Sequence, residues 1–299
     1  MRVRDQVEAV QTHHLAPRRY DKYLSGKLRW RGALQTMVGD ANNKSKVAIV
    51  TGSTQGLGEA ITRRLVDEGL IGGLVICGRS AEKGERLARE FTACGCRTEF
   101  VRADLAVVED CRRVTDAARR AFDRIDFLVN SAATSERGTI LDTTPELFDR
   151  IMALNVRAPF FLMQGAIQTM IDRGIAGSIL NILSMSSHGG QPFLSPYSTS
   201  KGALATLTRN VACSVLKQRI RVNGLNIGWM DSPGEHVVQK KFHAAGDDWL
   251  EKAEKDQPFG RLVKPAEVAE VAAFLLSGRS GLMTGSIIDF DQSVVGTHE

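Results

Sequence analysis

The chain has 299 residues, enough for one large α/β domain or two ordinary ones, and its 43% hydrophobic, 24% charged and 6% aromatic content is that of a globular protein. Disorder, collagen and a disulfide-stapled miniprotein are excluded on that composition. The formal charge of +5 is concentrated at the start, where residues 1–46 hold ten Lys/Arg against four Asp/Glu, a net of +6, which leaves −1 for everything that follows. Residues 1–45 therefore read as a basic N-terminal extension on a nearly neutral body. The arm has no dense Lys/Arg block and no known binding motif, so it is expected to pack on its own body or a neighbouring subunit, with no nucleic acid and no membrane as partner. Its opening, MRVRDQVEAVQTHHL, mixes acids with bases around no apolar core, and Asp5, Glu8 and Asp21 count against a transit peptide. A cytoplasmic protein is expected. The longest nearly apolar run, Gly69 to Gly78, is far short of the roughly 18 residues of a membrane-spanning helix. Five cysteines (Cys77, Cys94, Cys96, Cys111, Cys213) form an odd set without zinc-type spacing and are read as reduced thiols.

From Lys46 onward, short β-branched or apolar runs alternate with longer segments of helical period, the pattern of βα units on a parallel sheet. Strands are predicted at Val47 to Val50, Leu74 to Cys77, Thr98 to Val101, Phe127 to Val129, Ser178 to Ile182, Arg221 to Leu225 and Ile287 to Phe290. Helical stretches are predicted to start near Gly56, Ala81, Val108, Pro145, Pro196 and Pro265, three of them at a proline placed where its missing N–H costs little. The fold class is α/β, a single Rossmann-type doubly wound parallel sheet of about seven strands spanning 46–299. Residues 231–259 break the rhythm with polar, charged and aromatic residues, and read as a substrate-loop insertion.

The first strand runs into Thr51-Gly52-Ser53-Thr54-Gln55-Gly56-Leu57-Gly58 and then straight into a helical stretch. Glycines at a strand-to-helix junction let the backbone turn tightly and approach a ligand, and the free N–H groups of the helix start favour a pyrophosphate. In this turn the sequence resembles the short-chain dehydrogenase/reductase family, whose motif Thr-Gly-x-x-x-Gly-x-Gly is met by Thr51, Gly52, Gly56 and Gly58. The resemblance runs from about Lys46 to Asp291 and implies a nicotinamide cofactor lying on the turn, including Ser53, Gln55 and Leu57. Family members that use NAD carry an acid after the second strand, whereas this chain has Cys77-Gly78-Arg79-Ser80. A guanidinium suits a 2′-phosphate by charge and fork geometry, so NADP is preferred, with NAD retained as the alternative. The resemblance also implies adenine contacts from Asp104 and the backbone of Leu105. Asn130 answers the family's asparagine after the fourth strand, in Asn130-Ser131-Ala132-Ala133 where the family shows Asn-Asn-Ala-Gly.

Tyr197 and Lys201 stand four apart, on one face of a helix. An ordinary tyrosine pKa is near 10, and an ammonium beside it stabilises the phenolate and brings that value toward neutrality. Such a pair can pass the hydroxyl proton while hydride moves to or from a nicotinamide. Ser184 ends the fifth strand thirteen residues before Tyr197, as the family's catalytic serine does, and Asn155 matches its helix asparagine, which implies a water relay. Gly228 and Ser232, in Gly228-Trp-Met-Asp-Ser232, resemble the family's segment around the nicotinamide carboxamide, although Ile227 stands where that segment has proline. The expected catalytic set is thus Ser184, Tyr197, Lys201 and Asn155. His188, His236 and His243 have no metal-type spacing, so no metal is expected.

The resulting expectation is an enzyme that interconverts a secondary alcohol and a ketone. A catalytically silent cofactor sensor or scaffold on the same fold, and a binding module acting through the basic arm, are the other readings. His188, Gln191, Phe193, Trp229, Asp231 and His236 form the expected substrate wall, leaning to a polyol or sugar-like small molecule. The resemblance implies a homo-oligomer, a tetramer or dimer built on the helices after Pro145 and Pro196.

Overall fold

A computed structural model describes residues 45–243 and 246–296. Residues 1–44, on which nearly all of the predicted basic extension falls, lie outside them. Seven strands, β1 (Val47–Val50), β2 (Gly73–Gly78), β3 (Arg97–Arg102), β4 (Phe127–Asn130), β5 (Ser178–Ile182), β6 (Arg221–Ile227) and β7 (Ile287–Phe290), form one sheet. Their order is β3-β2-β1-β4-β5-β6-β7 and every pairing is parallel. Three of the seven sequence-predicted spans coincide with the strands, and the other four are longer in the structure by a residue or two. The extensions are the polar or glycine residues Gly73, Gly78, Arg97, Arg102, Asn130 and Asn226, together with Ile227, which pair through the backbone without adding to the apolar run.

The interior strands read as nearly unbroken apolar runs because helices cover both faces of the sheet. Successive side chains divide between two cores, as a period of two demands. Ala48, Val50, Leu74, Ile76, Leu180 and Ile182 point to one core, and Ile49, Val75, Cys77, Leu128 and Ile179 point to the other. The first core is closed by α1 (Gly56–Asp67), α2 (Ala81–Ala93) and α9 (Pro265–Leu276), whose Ile61, Leu65, Leu87, Phe91 and Ala272 are buried in it. The second is closed by α3 (Val108–Phe122), α5 (Ala158–Asp172) and α6 (Ser195–Ser214) through Val114, Ala118, Leu162, Ala166, Met170 and Ala212. The edge strand β3 is covered less fully and keeps both end arginines exposed.

Helix starts follow local chemistry. Ser80 Oγ accepts from Lys83 N–H at α2, and Thr144 Oγ1 accepts from Leu147 N–H where Pro145 opens α4 (Pro145–Met152). One stretch differs from the predicted pattern. The helix begun at Pro145 does not run evenly but passes through a π turn at Ala153–Arg157 before α5. The insertion holds two short helices, α7 (Pro233–Phe242) and α8 (Trp249–Lys255).

Asp126 fixes the amino edge of the sheet. Its carboxylate accepts from Val47 N–H at 2.8 Å and from Arg124 Nε and Nη2 at 2.8 and 2.7 Å, while its backbone N–H donates to Val47 O and its carbonyl accepts from Ser178 N–H. Three strands are thereby registered by one buried residue. Asp126→Ala removes charge-assisted bonds to a buried backbone donor and is expected to cost about 2 kcal/mol. Urea unfolding at constant m-value checks this, and a midpoint unchanged from wild type would refute it.

Candidate active site

The site begins where β1 ends. Gly52 (φ +65°) and Gly56 (φ +57°) adopt the left-handed region that glycine alone enters freely, and a Cβ at Gly58 would collide with the Gly52 carbonyl oxygen. The turn can therefore fold flat over the start of α1. Gln55 at the N-cap of α1 makes no side-chain capping bond, so the first N–H groups of that twelve-residue helix are left to whatever lies in front of them. In front is a cleft of about 450 Å³ along the carboxyl ends of β1, β2, β3 and β4.

Most of the predicted cofactor residues line this cleft: Gly52, Gln55, Gly56, Leu57, Gly58, Arg79, Asp104, Leu105 and Ser232. Ser53, Asn130 and Gly228 do not, and each serves the site from behind; Tyr197 and Lys201, also expected to bind the cofactor, lie outside this lining as well. Ser53 is fully buried, and its hydroxyl accepts from Cys77 N–H at 3.2 Å, tying the turn to β2. Asn130 Nδ2 donates to Asn181 Oδ1 at 2.8 Å, joining β4 to β5. Gly228 packs against Asp291, whose carboxylate a Cβ would strike. Asp104 accepts from Ala106 N–H at 3.1 Å, so it caps its turn as well as facing the cleft. Lys83 also lines the cleft, beside Arg79 and Ser80. The sequence reading missed it because it sits one helical turn beyond the motif, at the start of α2.

One strand further along the same edge stand the catalytic candidates. Ser184 follows β5, on the extended residue before a 3₁₀ turn at Met185–His188, and its hydroxyl donates to Ser186 Oγ at 3.1 Å. Tyr197 lies in the first turn of α6, with Ser184 near enough to its hydroxyl to favour the phenolate. Lys201, one turn on, is buried, and its Nζ donates to Ile182 O at 2.9 Å while lying 5.7 Å from the centre of the Tyr197 ring. Burial raises the Tyr197 pKa, an effect Ser184 opposes, with Glu235 raising it and Arg137 lowering it in turn. This departs from the expected lowering by the ammonium. Lys201 points its charge at a backbone carbonyl of β5 and stands over the ring rather than at the hydroxyl. Burial also pulls the Lys201 pKa down, to about 8.

Asn155 occupies the middle of the π turn, a geometry that recurs at functional sites. Both of its amide hydrogens are committed, to Thr134 O at 2.9 Å and Ser200 Oγ at 3.0 Å, and Oδ1 accepts from Thr134 N–H at 2.9 Å. The side chain braces the loop after β4 against α6.

Much of the expected substrate wall is engaged internally. His188 is held by Asp289 and Asn226, Gln191 by Ser186, and Asp231 and His236 by each other, with Lys264 and Trp249 as further partners. The charged groups whose fields reach Tyr197 are Arg137 and Glu235, neither of which the sequence reading named. Among the described residues no cluster of His, Cys, Asp and Glu could hold a metal ion, and no helix is long and apolar enough to cross a membrane.

The chain is similar to known proteins over most of its length. A family profile described as enoyl-(acyl carrier protein) reductase matches residues 52–294. Dehydrogenase/reductase SDR family member 4 of Oryctolagus cuniculus is 33% identical over 250 residues, covering 82% of this chain and 91% of that one. An NADP-dependent (R)-specific alcohol dehydrogenase of Lentilactobacillus kefiri is 30% identical over 245 residues, 81% of this chain and 94% of the relative. Among solved structures, L-sorbose reductase from Gluconobacter frateurii, complexed with NADPH and L-sorbose, superposes with a TM-score of 0.79 at 30% identity, covering 85% of this chain and 97% of that one. The chain belongs to the short-chain dehydrogenase/reductase family of oxidoreductases.

The buried lysine carries a pH signature. In the fold its pKa is about 8, against 10.5 when exposed, so between those values the unfolded chain binds a proton that the folded chain has lost. The contribution of Lys201 to stability then rises with pH across that window, by about 3 kcal/mol when the step is complete. Urea unfolding at several pH values is expected to show wild type gaining stability relative to Lys201→Met as pH rises, the buried thiols of Cys77, Cys96 and Cys111 sloping both profiles alike. Parallel profiles would contradict it.

Proposed function

We propose that the chain is an NADP(H)-dependent oxidoreductase that interconverts a secondary alcohol and a ketone. The observation that carries this is Tyr197 beside Ser184, with Lys201 buried one turn away, at the strand edge that also bears the glycine-walled cleft. The cleft fits a dinucleotide on three counts: its uncapped helix start faces a diphosphate, its glycines allow close backbone approach, and Arg79 and Lys83 stand beside the end of β2. Arg79 is exposed, and among the described residues no carboxylate pairs with it, which leaves its fork for a 2′-phosphate. The NADP-dependent relative and the NADPH-bound neighbour support the same cofactor.

The cofactor, when bound, supplies or accepts the hydride. Tyr197 gives or takes the proton of the substrate oxygen, and Ser184 holds that oxygen beside the tyrosine hydroxyl. Lys201 contributes positive charge to the site and a donor for the cofactor's ribose. Asn155 acts by holding Thr134 and Ser200, and so the helix that carries both Tyr197 and Lys201, in place. Ser232 caps α7, accepting from Glu235 N–H at 3.2 Å, and brings that helix over the cleft. A polar, polyol or sugar-like substrate is supported by the L-sorbose complex of the structural neighbour. Phe148 on α4 and Phe160 on α5, both partly exposed, support assembly into a homo-oligomer through those helices.

Tyr197→Phe removes the proton carrier while leaving the cleft intact. Turnover with NADPH over a panel of ketones is expected to fall about 100-fold or more with cofactor affinity retained, and undiminished turnover would defeat the assignment. Arg79→Ala is expected to raise KM for NADP(H) about 10- to 100-fold and leave NAD(H) kinetics nearly unchanged, since only the 2′-phosphate loses a partner. An equal effect on both cofactors would assign Arg79 a different role.

A further inference from the structure

Arg137 is a charged group beside Tyr197 that the mechanism above leaves unused. It comes from the loop between β4 and α4, and that loop is laced to the segment ahead of the tyrosine. Gly138 N–H donates to Phe193 O and Ser195 N–H donates to Gly138 O, each at 3.0 Å, which makes a parallel bridge between Gly138 and Leu194. The register sets the Arg137 guanidinium over the Phe193 ring, 5.6 Å from its centre and four residues before Tyr197. On its other side, Nε and Nη2 meet Nε2 of His243, just past the end of α7, at 3.3 and 3.2 Å, and Nη1 donates to Ser135 O at 3.0 Å. A guanidinium has five N–H groups, so three are taken and two remain.

Most arginines of this fold that lie as deep are answered by carboxylates, as Arg63, Arg64 and Arg124 are by Glu59, Glu68 and Asp126. Arg137 is half-buried, and among the described residues no carboxylate pairs with it. Glu235 is near enough for its field to be felt, but its carboxylate accepts instead from Trp229 Nε1 at 2.9 Å and Gln239 Nε2 at 2.7 Å. Burial accordingly lowers the Arg137 pKa. A cation kept partly dry, held planar on an aromatic face and left with two unspent donors is a receptor for an oxyanion.

We propose that Arg137 is the anion receptor of the substrate pocket, and that the substrate is a ketone or secondary alcohol carrying an oxyacid group, a carboxylate or a phosphate. This rests on the dehydrogenase reading and narrows its substrate class. The oxyacid is held by the two free N–H groups while the reacting oxygen meets Tyr197 and Ser184. A guanidinium that only latched α7 to the loop would serve charged and neutral substrates alike, and that difference is measurable.

The test compares acetoacetate and levulinate with their methyl esters, and dihydroxyacetone phosphate with dihydroxyacetone. Binding to the NADP⁺-loaded protein is read by calorimetry, and turnover by NADPH oxidation, in wild type, Arg137→Leu and Arg137→Lys. At least one anion is expected to bind wild type about 10-fold or more tightly than its neutral partner, with the preference lost in Arg137→Leu and partly kept in Arg137→Lys. KM for the anion should rise about 10- to 100-fold in Arg137→Leu and that for the neutral partner by less than about threefold, while kcat falls alike for both because the Arg137 field at Tyr197 is lost. The carboxylate and phosphate arms decide which oxyacid is taken. Equal binding of anions and neutral partners by wild type, or equal losses of affinity and equal rises in KM for both in Arg137→Leu, would overturn the proposal. Turnover of neutral ketones without anion preference leaves the dehydrogenase standing and removes the receptor. Binding preference without turnover of any compound does the reverse.

Discussion

The molecule depends on the seam between β1 and β4, where the winding of the sheet reverses and the loops leaving two neighbouring strands depart to opposite faces. Thr51 holds that seam. Its N–H and hydroxyl both donate to Val129 O, at 2.9 and 3.2 Å, and the same hydroxyl accepts from the N–H groups of Ser131 and Ala132 at 3.0 and 3.1 Å. With the strand ends bound together, the two loops touch at the back, where a Cβ on Gly52 would stand 2.9 Å from Ala132 Cα, and they open only at the front. The cleft is the volume that this arrangement leaves, and its glycines are required by the closeness of the loops as much as by any ligand.

The neighbouring strand repeats the device with side chains. Asn181 on β5 accepts from Asn130 on β4 and donates to Thr208 on α6 at 2.9 Å, while Lys201 donates to Ile182 O. Polar groups buried at this depth are costly unless paired, so these bonds fix how α6 lies against the sheet. That docking brings Tyr197 to Ser184. It also desolvates the pair that would carry the chemistry, driving tyrosine and lysine alike toward their neutral forms. A lysine with a pKa of about 8 is still mostly charged at neutral pH but close enough to its titration point to be sensitive to what binds beside it.

What was legible in the sequence was whatever is encoded locally. The interior strands announce themselves as apolar runs because both of their faces are covered. The glycine turn does so because a strand must become a helix within a few residues, and Tyr197 and Lys201 because a spacing of four is one helical turn. Arg137 and Glu235 were not legible. Each becomes part of the site only through tertiary register, Arg137 by the bridge from Gly138 to Leu194 and Glu235 by the capping of α7 at Ser232. The π turn at Asn155 was hidden for a related reason, since one extra residue in a helical turn leaves no mark in a run of apolar side chains. The expected substrate wall was read from residue types along the chain, and sequence proximity does not reveal that His188, Asp231 and His236 are engaged by Asp289, Lys264 and Trp249.

The helix α7 is fastened differently at its two ends. At its base, Lys264 bonds both Asp231 and Glu254, at 2.9 and 3.1 Å, and His236 joins Asp231 to Trp249. At its far end, among the described residues, Lys240 pairs with Asp247 of the loop that follows, and the link back to the loop after β4 is His243, accepting from Arg137 on a partly exposed surface. Ionic pairing at the base and a single donor-acceptor contact to the loop after β4 make that link the weaker fastening. The group that provides it is the same guanidinium that keeps two N–H groups without a hydrogen bond among the described residues. If an oxyacid occupies those donors, the planar fork is held on both edges, so recognition of the substrate and the fastening of α7 at His243 draw on one side chain.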